Sequence, residues 1–436
     1  MNLSAAFFTL GCKLNFSETA TLASMLAQKG IKKTRPDAKP DICVVNTCSV
    51  TDTADKKARH LIRSLSKKYP SASIFVTGCY AQLKPDEVSK LPGVEMVLGS
   101  NEKLHISQYI DSWLMNRGSV VETTPGLKIN VFMPSCERGD RTRYFLKVQD
   151  GCDYFCTYCT IPYARGRSRS GNISELVEMA QQVALKGGKE IVITGVNIGT
   201  FGIDNNQDFL SLLKKLDRVA GISRYRISSI EPNLLTDEII EWIAFESRAF
   251  MPHFHIPLQS GSDKVLKLMN RRYDTELFKT KISRIRELIP DSFIGVDIIA
   301  GARGETEEEW TKSYSFASGL DIAKFHVFPY SERPGTKALT LGEDVPVEKR
   351  RIRVNALTEL SDKKTAAFIN GNLGNIRPVL WEKPTNRDMM HGLTDNYIRV
   401  EAPYKPELIN NVSEVMLLSL KPGTSDIGLA SHIETE

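Results

Sequence analysis

No apolar run in this chain of 436 residues is long enough to cross a bilayer, so no membrane partner is expected. The opening Met1-Asn-Leu-Ser-Ala-Ala-Phe-Phe-Thr-Leu10 has no basic n-region, and no signal peptide is expected. Internal repeats and low-complexity tracts are absent. Charge of one sign is also lacking: 57 Lys and Arg against 52 Asp and Glu leave +5, which permits a nucleic-acid partner without demanding one. The 8 cysteines are therefore read in a reducing, cytoplasmic setting, where metal ligation outranks disulfides. The length allows two or three domains.

Three of these thiols crowd into Leu146-Lys-Val-Gln-Asp-Gly-Cys152-Asp-Tyr-Phe-Cys156-Thr-Tyr-Cys159, in the spacing C-x3-C-x2-C. The preceding Tyr144-Phe-Leu-Lys-Val-Gln149 alternates and reads as a strand, so the thiols sit on a loop at a strand's C-terminal end. That is where α/β folds place their chemistry. Three thiolates suit an iron–sulfur cluster or zinc. No fourth Cys or His lies nearby, the next histidine being His253, which argues against a closed structural zinc site. The spacing, with Tyr158 before the last cysteine, resembles the radical S-adenosylmethionine (SAM) superfamily. That resemblance implies a [4Fe-4S] cluster whose open iron chelates SAM, Tyr158 near the adenine, and cleavage to a 5′-deoxyadenosyl radical.

Residues 1–116 read as an open parallel-sheet domain. Strand candidates Ala5–Leu10, Ile42–Thr47 and Ile74–Gly78 end at Cys12, Cys48 and Cys79, with helices over Ser17–Gln28 and Asp52–Lys68. Parallel strands bring such ends to one edge, so a second three-cysteine cluster is expected there. Cys43, inside a strand, reads as a small buried hydrophobe, and Cys136, in a polar linker, as solvent-facing.

Strand and helix signals alternate through residues 138–368, with strands at Tyr144, Ile191–Thr194, Tyr225–Ser228, Phe254–Pro257, Phe293–Ile299 and Lys324–Phe328. Periodicity leaves open whether these form an open sheet or a partial barrel. Polar residues after the strands are site candidates: Asn197, Ser229 with Glu231, Gln259 with Ser260, Asp297, and Arg303 with Glu305. Gly187-Gly-Lys-Glu190 reads either as a helix C-cap or as a loose SAM-binding motif. A basic helix runs from about Pro346 to Ile369. Residues 370–436 carry short strands between Gly, Pro and Asn turns, as in a small antiparallel barrel, a form that often binds RNA.

Cys12, Cys48 and Cys79 followed by Cys152, Cys156 and Cys159 resemble the methylthiotransferase family of radical SAM enzymes over nearly the whole chain. Thr9-Leu-Gly-Cys-Lys-Leu-Asn15 is similar to the MtaB group, as are Thr77-Gly-Cys-Tyr-Ala-Gln82, Ile161-Pro-Tyr-Ala-Arg-Gly-Arg167, Thr194-Gly-Val-Asn-Ile198 and Ser228-Ser-Ile-Glu-Pro232. Gly301-Ala-Arg-Gly-Glu-Thr306 departs from the family's Gly-Phe-Pro-Gly-Glu-Thr.

The resemblance implies an α/β fold: the N-terminal sheet domain, a (β/α)6 partial barrel and a TRAM-like C-terminal barrel. It implies two [4Fe-4S] clusters and SAM, with Tyr158, Glu190, Asn197, Ser229 and Glu231 as SAM contacts. The activity implied is methylthiolation of N6-threonylcarbamoyladenosine beside the tRNA anticodon. A tRNA anticodon arm, a low-potential electron donor and a sulfur source are the expected partners. Sister groups act on isopentenyladenosine or on a ribosomal-protein aspartate. Rivals from other classes are a two-cluster electron carrier, which would need four cysteines per cluster, and a zinc-dependent RNA-binding module, which would be colourless.

Overall fold

Alternation of buried strands with amphipathic helices produces two parallel sheets, one after the other. The computed structural model describes residues 3–116, 118–138, 142–384 and 388–432. In the first sheet, six strands lie in the order Lys32–Lys33, Ser4–Thr9, Ile42–Thr47, Ser73–Gly78, Val94–Leu98, Val120–Glu122, all parallel. The sequence signalled three of them. Ile42–Thr47 and Ser73–Gly78 are buried along their whole length, as central parallel strands must be.

The helix Asp52–Lys68 begins where expected. Thr51 caps it by accepting from the Ala54 amide at 3.2 Å, with acids in its first turn and lysines in its last. The helix Lys13–Gln28 starts four residues before the expected Ser17, directly after Cys12.

Six parallel strands build the middle of the chain: Tyr144–Lys147, Glu190–Thr194, Arg224–Ile227, His253–Gln259, Phe293–Ala300 and Lys324–Pro329. They form a partial barrel, continued across its middle by the Tyr225–Phe250 bridge. An added strand, Ser135–Arg138, runs antiparallel beside Tyr144–Lys147. It lies in the segment expected to be a polar linker, and it carries Cys136 partly buried against the core rather than facing solvent. Pairing with the mostly buried strand Tyr144–Lys147 is what overrides the polar composition. Cys43 is fully buried, as read.

The two units interlock. Ser17 of the first helix donates to the Phe145 carbonyl at 2.9 Å and lies 2.6 Å from Ser135 Oγ. The long helix Val347–Asn370 packs on the last barrel strand, where Ser361 bonds both the amide and carbonyl of Phe325.

The C-terminal strands Ile376–Trp381, Met389–Thr394, Arg399–Pro403, Val412–Leu420 and Ile427–His432 close into a five-stranded barrel. It seats on the N-terminal end of the central strands. There Arg224 donates to the Leu393 and Pro378 carbonyls, and Arg226 to those of Thr394 and Asp395. Among the described residues no helix is long and apolar enough to cross a membrane.

Candidate functional site

Cys12, Cys48 and Cys79 each follow a strand of the first sheet, and parallel register carries all three to one edge. Gly11 adopts φ +103, and a Cβ there would lie 2.5 Å from Cys48 Cβ and 3.0 Å from its sulfur. Only glycine permits that approach. Asn15 then clamps the two turns, donating to the Leu10 carbonyl at 2.8 Å and to that of Thr47 at 3.1 Å. Burial, then the neighbouring Cys79 and Cys12, pushes the Cys48 thiol up to about 12. Burial also raises Cys79, against the pull of Arg165.

Arg165 comes from the central barrel, in the turn after the cysteine motif. It donates to Asn15 Oδ1 at 2.6 Å, to Glu18 at 3.0 Å and to Asp150 at 3.1 Å. Lys103 and Lys147 close on the same Glu18 at 2.7 and 2.9 Å. Burial alone would raise Glu18; Arg165, Lys103 and Lys147 together hold it well below the ordinary carboxylate range. A buried charge network thus binds the two units directly behind the first triad.

The second triad is gathered by one loop after Gln149–Asp150, in which Phe155 adopts φ +48. Each sulfur faces a donor. The Tyr154 amide lies 3.4 Å from Cys152, the Ile161 amide 3.5 Å from Cys159, and Arg271 Nη1 3.1 Å from Cys156. Asn197 Nδ2 approaches Cys152 at 4.0 Å, and its buried Oδ1 has no partner among the described residues. Burial raises Cys152 to about 11, and burial with Cys156 raises Cys159 to about 12.

Cysteines ligate as thiolates, and a bound cationic centre offsets the burial that raises these thiols. Three convergent sulfurs with N–H donors aimed at them fit a three-cysteine [4Fe-4S] cluster. The first triad, with Arg165 beside it, fits an anionic group equally.

Beside Cys159 lies a cavity of about 280 Å³. Val50 and Thr51, just past Cys48, form one wall. Tyr158, Cys159 and Ile161 form another, and Gln259, Asp297, Ile299 and Phe328 from the barrel add to the lining. Gln259 is held at φ +65 there. Asp297 Oδ1 accepts from His255 Nε2 at 2.7 Å.

Of the expected SAM contacts, Tyr158 lines this cavity, and Asn197 and Glu231 stand at the cysteine loop. Glu231 pairs with Arg271, and burial raises its carboxyl. Ser229 is half-buried just past the strand Arg224–Ile227.

Glu190 lies elsewhere. It is the first residue of Glu190–Thr194, at the opposite strand end from the cysteine loop, paired with Arg226 at 3.0 Å. Gly187 and Gly188 return their amides to Ala184 and Val183, so they cap the preceding helix. Arg303 pairs with Glu332 at 2.7 Å. Sequence reading missed Arg271 as a sulfur donor, because it lies in a short turn after a helix rather than at a strand end. It also missed Arg165, although the quoted Ile161–Arg167 segment contains it.

Residues 4–99 match the profile of Uncharacterized protein family UPF0004, and residues 146–317 that of the Radical SAM superfamily. The chain is 37% identical to the threonylcarbamoyladenosine tRNA methylthiotransferase MtaB of Bacillus subtilis, over 95% of this chain and 94% of that one. It is 38% identical to MtaB of Thermotoga maritima, over 90% of each. A tRNA-2-methylthio-N(6)-dimethylallyladenosine synthase of Protochlamydia amoebophila stands at 30%, over 94% of this chain and 92% of that one. The fold resembles the radical SAM methyltransferase TsrM of Kitasatospora setae, with TM-score 0.56 at 14% identity, over 78% of this chain and 77% of that one. Similarity this strong over nearly the whole chain shows its family: it belongs to the MtaB threonylcarbamoyladenosine tRNA methylthiotransferases of the radical SAM superfamily.

Proposed function

We propose that this chain inserts a methylthio group at C2 of N6-threonylcarbamoyladenosine next to the tRNA anticodon, at position 37. The observation that supports it most is the cavity walled by Val50 and Thr51 on one side and Tyr158 to Ile161 on the other. A base placed there meets Cys159 of the second triad, and Val50 on the facing wall is two residues along the chain from Cys48 of the first. Cys152, Cys156 and Cys159 hold one [4Fe-4S] cluster, and Cys12, Cys48 and Cys79 a second. When bound, the clusters with SAM supply radical cleavage of SAM and a sulfur for methylation.

The chain's own residues do the rest. Arg271, fixed by Glu231, places positive charge against Cys156. Arg165 does the same beside the first triad, locked by Glu18 and Asp150. Asn197 presents an unpartnered Oδ1 at the cysteine loop and is a SAM contact, with Tyr158, Ser229 and Glu231. Ile161, Ile299 and Phe328 give the cavity apolar walls for the base to pack against.

The C-terminal barrel and the basic helix Val347–Asn370 hold the anticodon arm, whose loop splays the base into the cavity. Residues 1–116, 138–368 and 370–436 act as the three domains of this arrangement. A low-potential electron donor and a sulfur source serve the clusters from outside.

Nucleoside mass spectrometry of tRNA from a host without this enzyme family, with and without the gene, tests the reading. A new 2-methylthio form of threonylcarbamoyladenosine is expected. A 2-methylthio form of isopentenyladenosine instead, or no change in either nucleoside, would overturn the substrate assignment.

A further inference from the structure

One segment that supplies no cysteine reaches both triads. Residues 330–341 follow the last barrel strand, Lys324–Pro329. Within them Arg333-Pro-Gly-Thr336 makes a tight turn. Gly335 adopts φ +79, and the Thr336 amide returns to the Arg333 carbonyl at 3.2 Å. Proline followed by a glycine of positive φ fits the type II pattern. The Thr336 hydroxyl donates to the same carbonyl at 2.7 Å, so the turn is braced twice.

That turn presents Arg333 to the first domain. The side chain is buried, and its Nη2 donates to Ser49 Oγ at 2.7 Å and to Asp55 Oδ2 at 3.0 Å. Ser49 directly follows Cys48, and its hydroxyl donates in turn to Asp55 Oδ1 at 2.6 Å. Asp55 is fully buried in the first turn of Asp52–Lys68. The Asp52 amide donates to Ser331 Oγ at 3.1 Å. The barrel thus grips residues 49–55 at several points, and Val50 and Thr51 of that stretch wall the cavity. Lys84 also pairs with Asp55, at 3.1 Å, but from inside the first domain.

The far end of the segment reaches the cysteine loop. The Ala338 amide donates to the Thr157 carbonyl at 2.8 Å, between Cys156 and Cys159. Tyr330 and Ala338 are buried in a small apolar cluster, and Tyr158 packs against it. Arg303, the residue that departs from the family's pattern, pairs with Glu332 and so braces the same segment. Arg165 anchors the first domain through Asn15 and Glu18, on the helix after Cys12; Arg333 anchors it separately, after Cys48.

We infer that residues 330–341 form a strap that fixes the spacing between the two triads, with Arg333 as its positioning residue. This rests on the proposed function. Radical formation at one triad yields product only if the sulfur donor at the other is already in register with the base, and small displacements weigh heavily on such a step. Without Arg333, Ser49 and Asp55 lose their partner across the domain boundary, and the wall at Val50 and Thr51 is released. Each triad keeps its own cysteines. SAM is then consumed without a matching yield of methylthionucleoside.

The test uses reconstituted holoenzyme and an anticodon stem-loop bearing threonylcarbamoyladenosine, and reads methylthionucleoside formed per 5′-deoxyadenosine released. Arg333→Met is expected to lower that ratio at least about tenfold with iron content unchanged. Arg333→Lys, which keeps a charge for Asp55, should recover much of it. Gly335→Ala places its methyl in open space but strains the turn, and should lower the ratio by less. Lys84→Met weakens the same Asp55 from within the first domain and should keep the wild-type ratio. Hydrogen exchange gives a readout apart from turnover: Arg333→Met should speed exchange over residues 49–55 and leave residues 13–28 protected. A wild-type ratio in Arg333→Met would overturn the strap. So would an equal fall in Lys84→Met, the sign of general destabilisation, or a loss of iron in Arg333→Met, the sign of a cluster support. If wild type modifies only an isopentenyladenosine stem-loop, the proposed substrate fails and the ratio is read on that RNA. A wild type that methylthiolates neither RNA overturns the proposed function and the strap together.

Discussion

The two cysteine triads reach similar ends by opposite routes. Cys152, Cys156 and Cys159 are gathered by a single loop, whereas Cys12, Cys48 and Cys79 converge because parallel register brings three strand ends to one edge. Each has one buried arginine, and neither arginine comes from the segment that supplies the cysteines. Arg271 reaches Cys156 from the turn after a later helix, and Arg165 reaches the first triad from the other sheet. The local triad is thus complete within its own barrel. The dispersed one depends on the docking of two domains through Glu18, Lys103, Lys147, Arg165 and Asp150.

Removing a cysteine from each triad should separate them most. Cys152→Ala should reduce SAM cleavage to background, while Cys79→Ala should keep cleavage and lose sulfur insertion; product analysis for deoxyadenosine and methylthionucleoside reads both. A Cys79→Ala enzyme with full insertion would remove the second cluster from the account.

Next in size is the charge network. Glu18→Gln leaves Lys103, Lys147 and Arg165 facing one another with only Asp150 in compensation. Breaking a buried pair of this kind costs about 3–5 kcal/mol, which thermal or urea unfolding of the apoprotein would show. Because the folded Glu18 carboxyl lies below its unfolded value, its contribution is present above pH about 4.5 and fades as pH falls through the folded value. The variant should therefore lose part of the wild type's acid-side slope, and an unchanged slope would contradict the network.

Gly11→Ala is a smaller break. The strained φ and the contact with Cys48 should cost about 1–3 kcal/mol and lower iron at the first triad, leaving SAM cleavage intact. Smallest is Cys43→Ala, a buried thiol outside both triads. It should cost about 1 kcal/mol through lost packing and leave iron unchanged; a fall in iron would make Cys43 a ligand.

The same contrast explains what the sequence made legible. The loop triad shows in its spacing alone. The dispersed triad shows only once Ile42–Thr47 and Ser73–Gly78 are read as buried parallel strands, which the apolar runs at 42–45 and 74–76 allow. Val120–Glu122 and Ser135–Arg138 gave no such signal, because short edge strands take their structure from a pairing partner. Glu190 illustrates the converse error: a glycine pair and an acid fit a binding motif, but the glycines end a helix and the acid balances Arg226. Arg165 and Arg271 were beyond local reading because their partners lie 147 and 115 residues away, at Glu18 and Cys156.

We propose that two independent three-cysteine clusters flank the cavity lined by Val50 and Cys159. Iron and acid-labile sulfide, with Mössbauer spectra, measured on wild type, on Cys12/Cys48/Cys79→Ala and on Cys152/Cys156/Cys159→Ala, test it most directly. The account predicts about eight irons per wild-type chain and about four in each triple variant, all as [4Fe-4S]. Four irons in wild type, or a first-triad variant that keeps all eight, would contradict it.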